Sequence, residues 1–383
     1  MPDVDICMVV DNDVVHDARV RKEAASLAAR DWRVVVVGIA VNGPEPPLRE
    51  IVDGYTILRV VPRLLRQNLT TKFGRNLRMV MLLVQVAACL RRVNAKVYHA
   101  HDFTGLALVA LAGIWRRPVV YDSHEIYFER PLPLLTRYLA PILRPIERLL
   151  AKRATRMIVT SESCFQYFVR EFGVQEPVIV RNAVDLRKIE PGEANSATDS
   201  TFLVAHSGLL MHGRHLDELV KAFQYLPDDV SLLLAGDGPA RAHLEKLADE
   251  LGVRDRLRLT GKLLPQQMIS ALRQATIAAV LITSDYTSYR FSLPNKFFEA
   301  VAAGLPIIAS PIPEVKRLIE SYNIGVLCDP TDPRSVAQAI QQALEPDTLA
   351  RLRANVLHVR EDLNWEVEER KLVTLYEEIF ERV

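Results

Sequence analysis

Cysteine is scarce in this sequence and never clustered. The four residues, Cys7, Cys89, Cys164 and Cys328, stand far apart, and no CxxC or Cys/His spacing joins them. This excludes a disulfide framework and a cysteine-bound metal, and suits a reducing compartment. Long apolar runs are missing too. The longest of interest, "MVMLLVQVAACL" from Met79 to Leu90, falls well short of the roughly 20 residues that a bilayer span needs. The opening "MPDVDICMVV" is acidic and enters a strand pattern directly, so no secretory signal is read and a cytoplasmic location is expected. Overall charge is nearly absent, at +1, which argues against nucleic-acid binding by bulk charge. One sign is missing locally: Gly54 to His101 holds nine Lys/Arg and no Asp or Glu. Residues 1–185 carry 26 basic and 19 acidic side chains, net +7, leaving 48 − 26 = 22 and 47 − 19 = 28, net −6, for the remainder.

What is present is a soluble globular composition, 49% hydrophobic and 25% charged over 383 residues, long enough for two domains. Short apolar runs alternate with helical patterns. In the first half they are "DICMVV" (5–10), "VVVVG" (34–38), "YTILRVV" (55–61), "VYHAHD" (97–102), "VVYDSH" (119–124), "RMIVTS" (156–161) and "VIVRNAV" (178–184). Continuous apolar runs indicate parallel strands buried on both faces. The stretch "EPGEANSATDST" is rich in turn-forming residues and reads as a linker, after which the rhythm resumes from "FLVAHSG" to "IGVLCDP". The expectation is α/β, with two doubly wound parallel-sheet domains, Rossmann-like, facing a cleft. The boundaries read as 1–188 for the first domain, 189–201 for the linker, 202–362 for the second domain, and 363–383 for an amphipathic helix packing back on the first.

Candidate functional residues lie just after strands. "AHSGLLMHGRHLDELVKAF" places Gly208 at a strand end and Gly213-Arg214 before a helix. Arg214 is either a phosphate contact or an ordinary surface arginine. "LLLAGDGP" ends a strand with Gly236-Asp237-Gly238, a nucleotide loop or simply a tight turn. "SLPNKFFEAVAAG" starts a helix with Asn295 and Lys296, and Glu299 follows one turn on. A lysine at a helix N-terminus is unfavourable unless an anion joins it there. The bland alternative is a surface ion pair at i, i+3. In the first half, "VVYDSHEIYFE" puts His124 at a strand end, "VYHAHD" does the same for His101 and Asp102, and "DNDVVHDARVRKEA" offers His16 and Arg19 behind an Asp17 helix cap. The histidine spacing matches no common metal site.

Together these segments resemble the retaining glycosyltransferases of family 4, group 1, whose fold is GT-B. "HDARVRKEAASL", "VYHAHD", "VVYDSHE", "VIVRNAVD", "SGLLMHGRHLDELVKAF", "LLLAGDGP", "SLPNKFFEAVAAGLPIIAS" and "IGVLCDPTDPRSVAQAI" occur in the family's order over nearly the whole chain, in the branch reading "LPNK(L/F)FE". The resemblance implies a nucleotide-diphospho-sugar donor, UDP-sugar ahead of GDP-sugar. It would be bound through Gly208, Arg214, Gly236, Asp237, Gly238, Asn295, Lys296 and Glu299. Glu299 is implied on the ribose, Lys296 and Arg214 on the diphosphate, and His124 on the transferred sugar. His124, Arg214 and Lys296 are thus the implied catalytic set, and His16, Arg19, His101 and Asp102 the acceptor side. No metal and no cofactor is required by front-face transfer with retention. Two departures stand out: Phe291 occupies the position of the family's first glutamate, and Leu209 that of its usual arginine. The alternatives weighed are a sugar-nucleotide epimerase of the same fold, a two-lobed solute-binding protein, and a non-catalytic sugar-nucleotide-binding protein.

Two basic runs raise the question of a membrane. "RLLRQNLTTKFGRNLRMVMLLVQ" interleaves Arg63, Arg66, Lys72, Arg75 and Arg78 with apolar residues, and "RYLAPILRPIERLLAKRATR" does so with Arg137, Arg144, Arg148, Lys152, Arg153 and Arg156. They fit either peripheral contact with an inner leaflet and a lipid-linked or sugar acceptor in cell-surface glycan synthesis, or ordinary helices, apolar inside and basic outside.

Overall fold

The computed structural model describes residues 4–40, 47–61, 72–189 and 201–382, with the backbone alone over 72–80 and at 265. The chain divides into two compact units, Met1–Val180 with Glu369–Val383, and Arg181–Glu368.

The first unit is built on eight strands. They are β1 (Ile6–Val9), β2 (Val34–Ile39), β3 (Arg49–Val52), β4 (Tyr55–Val60), β5 (Val97–His101), β6 (Val119–Ser123), β7 (Arg156–Val159) and β8 (Val178–Ile179). Their spatial order is β3-β4-β2-β1-β5-β6-β7-β8. Strands β1, β2, β5 and β6 are buried along their whole length, because helices cover both sheet faces. Only β3 runs antiparallel, pairing with β4. It is absent from the strands expected above because it alternates half-buried and exposed at the sheet edge. Its available signal was the Asp53-Gly54 dipeptide, both residues at positive φ, which closes a tight hairpin turn. The expected Asp17 cap forms: its carboxylate accepts from the Val20 amide and starts the helix Ala18–Ala28.

The second unit holds six parallel strands, β9 (Phe202–Ser207), β10 (Val230–Ala235), β11 (Leu257–Leu259), β12 (Ile277–Val280), β13 (Ile307–Ala309) and β14 (Gly325–Leu327). Their order is β11-β10-β9-β12-β13-β14. The strand order therefore reverses between β9 and β12, the place where open α/β sheets leave a crevice at the carboxyl ends. The helix Asn295–Ala303 follows β12. Phe297, Phe298 and Val301 bury one face of it, and it ends at Gly304, whose φ of +77° suits glycine in a left-handed cap.

Residues 190–200, most of the expected linker, lie outside the described residues, as do Arg63 and Arg66. Lys72, Arg75 and Arg78 lie on the helix Lys72–Val93, within the part whose side chains are not described. Composition placed the end of the first domain at 188, whereas the compact unit ends at Val180. The residues just after it serve the second unit: Ala183 sits in its core with Val184, Leu186 and Ile189 against it, and Arg181 binds Glu368 through its amide and guanidinium. The tail forms the helix Trp365–Phe380, with Glu369 onward belonging to the first unit. There Tyr376 and Phe380 lie against Trp32. Among the described residues, no helix is long and apolar enough to cross a membrane.

Candidate functional site

Two polar clusters lie at strand carboxyl ends, one in each unit. In the second unit the cluster sits at the β9/β12 reversal. Lys296 is the second residue of the helix Asn295–Ala303, and its Nζ lies 3.4 Å from both His206 Nε2 and the Leu281 carbonyl. His206 is buried and its Nδ1 stands 3.0 Å from the Ala279 carbonyl. A carbonyl only accepts, so Nδ1 carries the proton and Nε2 is left as an acceptor for Lys296. Both lysine contacts are long for hydrogen bonds. Among the described residues, no carboxylate lies within ion-pair reach of Nζ. Burial and the neighbouring Arg214 guanidinium lower Lys296 to about 8, against the opposing pull of Glu299. Burial also holds His206 well below its ordinary range, with Lys296 and Arg214 adding to the effect.

Glu299, one turn on from Lys296, does not form the surface ion pair of the bland reading. Its Oε2 accepts from Ser207 Oγ at 2.6 Å, at the end of β9. The adjoining Gly208 has φ +114°, and a Cβ placed there would meet open space. Arg214 stands in the turn before the short helix Leu216–Ala222 rather than on the helix itself, because His215 interrupts it in the left-handed region. Asn295 is exposed at the helix start and its Oδ1 accepts from Asn182 Nδ2 at 2.8 Å. Two cations, a helix N-terminus and a bare glycine backbone thus surround a place suited to an anion, with a carboxylate alongside that can accept from hydroxyls.

The Gly-Asp-Gly loop has a tighter explanation than a ligand. A Cβ on Gly236 would collide with the Gly208 carbonyl, and one on Gly238 with the Leu210 carbonyl. These glycines let two strand-end loops touch backbone to backbone. Asp237 is exposed and accepts from the Gly238 amide at 2.8 Å. Phe291 ends the turn Thr287–Arg290, with the Arg290 guanidinium 5.3 Å from its ring centroid.

The cluster in the first unit lies where β1, β5 and β6 end, and Asp122 is its centre. Both Asp122 oxygens accept from Arg19, at 2.9 and 2.8 Å, and Oδ2 also meets His124 Nε2 at 3.2 Å and His101 Nδ1 at 3.3 Å. His101 Nδ1 is 3.0 Å from His124 Nε2. Asp102 grips His124 from the other side, accepting from its amide at 3.0 Å and facing Nδ1 at 3.5 Å. Burial alone would lower His124, but the Asp102 and Asp122 carboxylates raise it well above neutrality. His101 is driven down by burial and by His99. The arrangement therefore fits an imidazolium at His124, its Nε2–H shared by Asp122 and the lone pair of a neutral His101. Despite its burial, Asp122 is held well below the carboxylate range by Arg19 and His124.

Beneath this lies a fully buried layer. Arg19 Nε is 3.0 Å from Glu23 Oε1. His99 Nε2 faces Glu23 and Asp122 at 3.7 Å each, while its Nδ1 meets the Tyr376 hydroxyl at 2.8 Å. Burial raises Glu23 well above the ordinary carboxylate range, to about 8, against the pull of Arg19. Glu23, His99, His101 and Asp122 bring their ligand-type atoms within 4.8 Å of one another. The Arg19 guanidinium already supplies positive charge beside both Asp122 and the Glu23 carboxyl. Arg19 and His101 were expected on the acceptor side. Both are buried and bound to Asp122, so neither presents a surface to a ligand. His124 and Asp102 remain partly open, at 19% and 22%, and His16 is exposed. Sequence reasoning missed Ser207, His206, Glu23 and Tyr376. The alternation in "VYHAHD" did mark two histidines sharing one strand face, but Tyr376 joins them from the far end of the chain.

Two family models match the chain: "Glycosyltransferase Family 4" over residues 18–188 and "Glycosyl transferases group 1" over residues 190–356. The D-inositol 3-phosphate glycosyltransferase of Mycolicibacterium smegmatis is 27% identical over 368 residues, covering 88% of this chain and 80% of that protein. Among solved structures, sucrose-phosphate synthase from Thermosynechococcus elongatus matches with a TM-score of 0.80 at 19% identity, covering 99% of this chain and 100% of that one. Anabaena HepE, solved in complex with UDP-glucose, matches with a TM-score of 0.71 at 16% identity, covering 98% and 99%. These neighbours share the GT-B fold.

Proposed function

The chain belongs to the group 1 glycosyltransferases of family 4, and on that premise we propose that it moves a sugar from a UDP-sugar to an acceptor hydroxyl with retention at the anomeric carbon. A GDP-sugar is the second choice of donor. The observation that carries the reading is the pair of cations at the β9/β12 reversal, with Lys296 lacking a carboxylate partner within ion-pair reach among the described residues and lowered by burial and by Arg214. A nucleotide diphosphate supplies the missing negative charge. Lys296 and Arg214 then stabilise the charge that grows on the departing diphosphate. Glu299, steadied by Ser207, accepts from the ribose diol. The acceptor oxygen bonds to the anomeric carbon on the face the diphosphate leaves, and the acceptor proton passes to a phosphate oxygen. His124 is assigned to the transferred sugar. No divalent metal and no cofactor enters the reading. A saccharide or lipid-linked acceptor of cell-surface polysaccharide or glycolipid synthesis completes it. The UDP-glucose complex of Anabaena HepE supports the donor class.

The test is a thermal-shift panel of UDP-, GDP- and dTDP-sugars, followed by turnover. A ligand at 100 times Kd should stabilise the second unit by about 2.7 kcal/mol. No shift with any nucleotide sugar would sink the proposal, and binding with no turnover on any acceptor would favour a sugar-nucleotide-binding protein.

Two further results are expected. Glu299→Gln should weaken free UDP and the donor in step, since both carry the ribose. Unchanged UDP affinity with lowered stability would make Glu299 structural. The second is a pH dependence. Lys296 loses its proton near pH 8 in the free protein, and the diphosphate binds its charged form. UDP affinity should therefore hold up to about pH 8 and drop by up to about tenfold between pH 8 and 9. Calorimetric titration across that range checks it, and a flat profile would remove Lys296 from the diphosphate site.

A further inference from the structure

The second basic run of the sequence forms the helix Leu134–Arg153, and it is inverted relative to an ordinary domain helix. Only Glu147 and Ala151 of its 20 residues are buried. Most of its large apolar side chains point outward instead: Leu134 is 73% exposed, Leu135 69%, Tyr138 79%, Ile142 63% and Leu149 67%. At about 3.6 residues per turn these positions fall on one continuous stripe. The face turned to the domain carries Leu143 and Leu150 among small or polar residues such as Thr136, Ala140, Glu147 and Ala151. Scattered exposed leucines are ordinary, but a contiguous stripe of them marks a surface that something covers.

Charge identifies what covers it. Arg137, Arg148 and Lys152 border one edge of the stripe, and Arg153 closes its end; all four are exposed. None has a carboxylate partner among the described residues, whereas Arg144, on the inward edge, is paired with Glu129. The helix carries one acid, Glu147, which is buried and bonded to the Tyr121 hydroxyl. An outward face with an apolar centre, a basic rim and no negative charge matches the boundary of an anionic bilayer, where acyl chains take the apolar residues and headgroups the cations. A protein partner would have to supply an acidic rim of matching shape, and a second copy of this chain would bring the same cations against them.

We propose that the helix Leu134–Arg153 docks the protein on anionic lipid, with Leu134, Leu135, Tyr138, Ile142 and Leu149 entering the headgroup boundary. This surface goes beyond the transferase reading and does not depend on it. The test is co-sedimentation of the full chain with vesicles of phosphatidylcholine alone, or mixed with phosphatidylglycerol. The expected result is binding to the mixed vesicles at low salt, little to phosphatidylcholine alone, and about tenfold less bound protein at high salt, where the charges are screened. The triple variant Leu135→Asp, Tyr138→Asp, Ile142→Asp should stay in the supernatant with unchanged melting temperature and an unchanged shift on adding UDP. Wild-type protein remaining in the supernatant with the mixed vesicles at low salt would overturn the proposal, as would a variant that sediments like wild type. Light scattering decides the rival occupant: a wild-type dimer that the triple variant converts to monomer without lipid would assign the stripe to a second copy and refute lipid docking.

Discussion

Asp122→Ala should cost about 3–5 kcal/mol of folding stability, a large share of what a domain of this size holds. The carboxylate is wholly buried and serves Arg19, His101 and His124 at once. Without it, the Arg19 guanidinium keeps only the Val180 carbonyl and Glu23, whose carboxyl burial pushes toward its neutral form. The guanidinium would be left poorly compensated in the core, or neutralised only by ionising a second buried acid. Asp122→Asn keeps the volume and should cost less, while His124 loses a carboxylate that holds its proton. Asp122 itself is held well below its ordinary range in the folded protein. Its contribution is therefore fully present above about pH 4, the unfolded value, and is lost as the pH falls below that. Urea unfolding at pH 7 and at about pH 2, well below the unfolded value, measures both effects. A loss under about 1 kcal/mol at pH 7 would show that Asp122 does not hold the cluster.

Lys296→Ala and Arg214→Ala should each lower kcat/KM by two to three decades, corresponding to about 2–4 kcal/mol of transition-state stabilisation. Folding should survive in both. Neither side chain is in an ion pair among the described residues, and Lys296→Ala relieves a half-buried cation beside Arg214 and His206. The stability of Lys296→Ala should thus equal or exceed that of the wild type while activity collapses, a combination that a structural lysine would not give. Steady-state kinetics beside thermal unfolding separates the two. Near-normal rates in both variants would remove the diphosphate assignment.

How far the sequence could be read depended on how local each cause was. The four central strands of the second unit, β9, β10, β12 and β13, were visible as apolar runs, since burial on both faces leaves little choice of side chain. Strand β3 was not, because an edge strand is only half-buried. Lys296 and Glu299 could be placed on one helix face from spacing alone. Whether they paired with each other, or turned to His206 and Ser207, depended on where β9 comes to lie beside β12. The Gly236 and Gly238 signature was legible as glycine, but its reason, contact with the backbone of Gly208 to Leu210, lies in another loop.

By itself, then, the sequence determined the alternation of strands and helices, two sheets of the doubly wound class, and the strand ends where polar residues collect. Those follow from hydrophobic period and backbone preference, which act over a few residues. Tertiary structure alone decided that Arg19 is a buried partner of Asp122 rather than a surface group, that Tyr376 closes on His99, and that the helix Leu134–Arg153 turns its leucines outward. An amphipathic pattern says that a helix has an apolar side. Which side the fold covers depends on neighbours brought together by the sheet order, and that order is set by long-range pairing, which no local stretch of the chain contains.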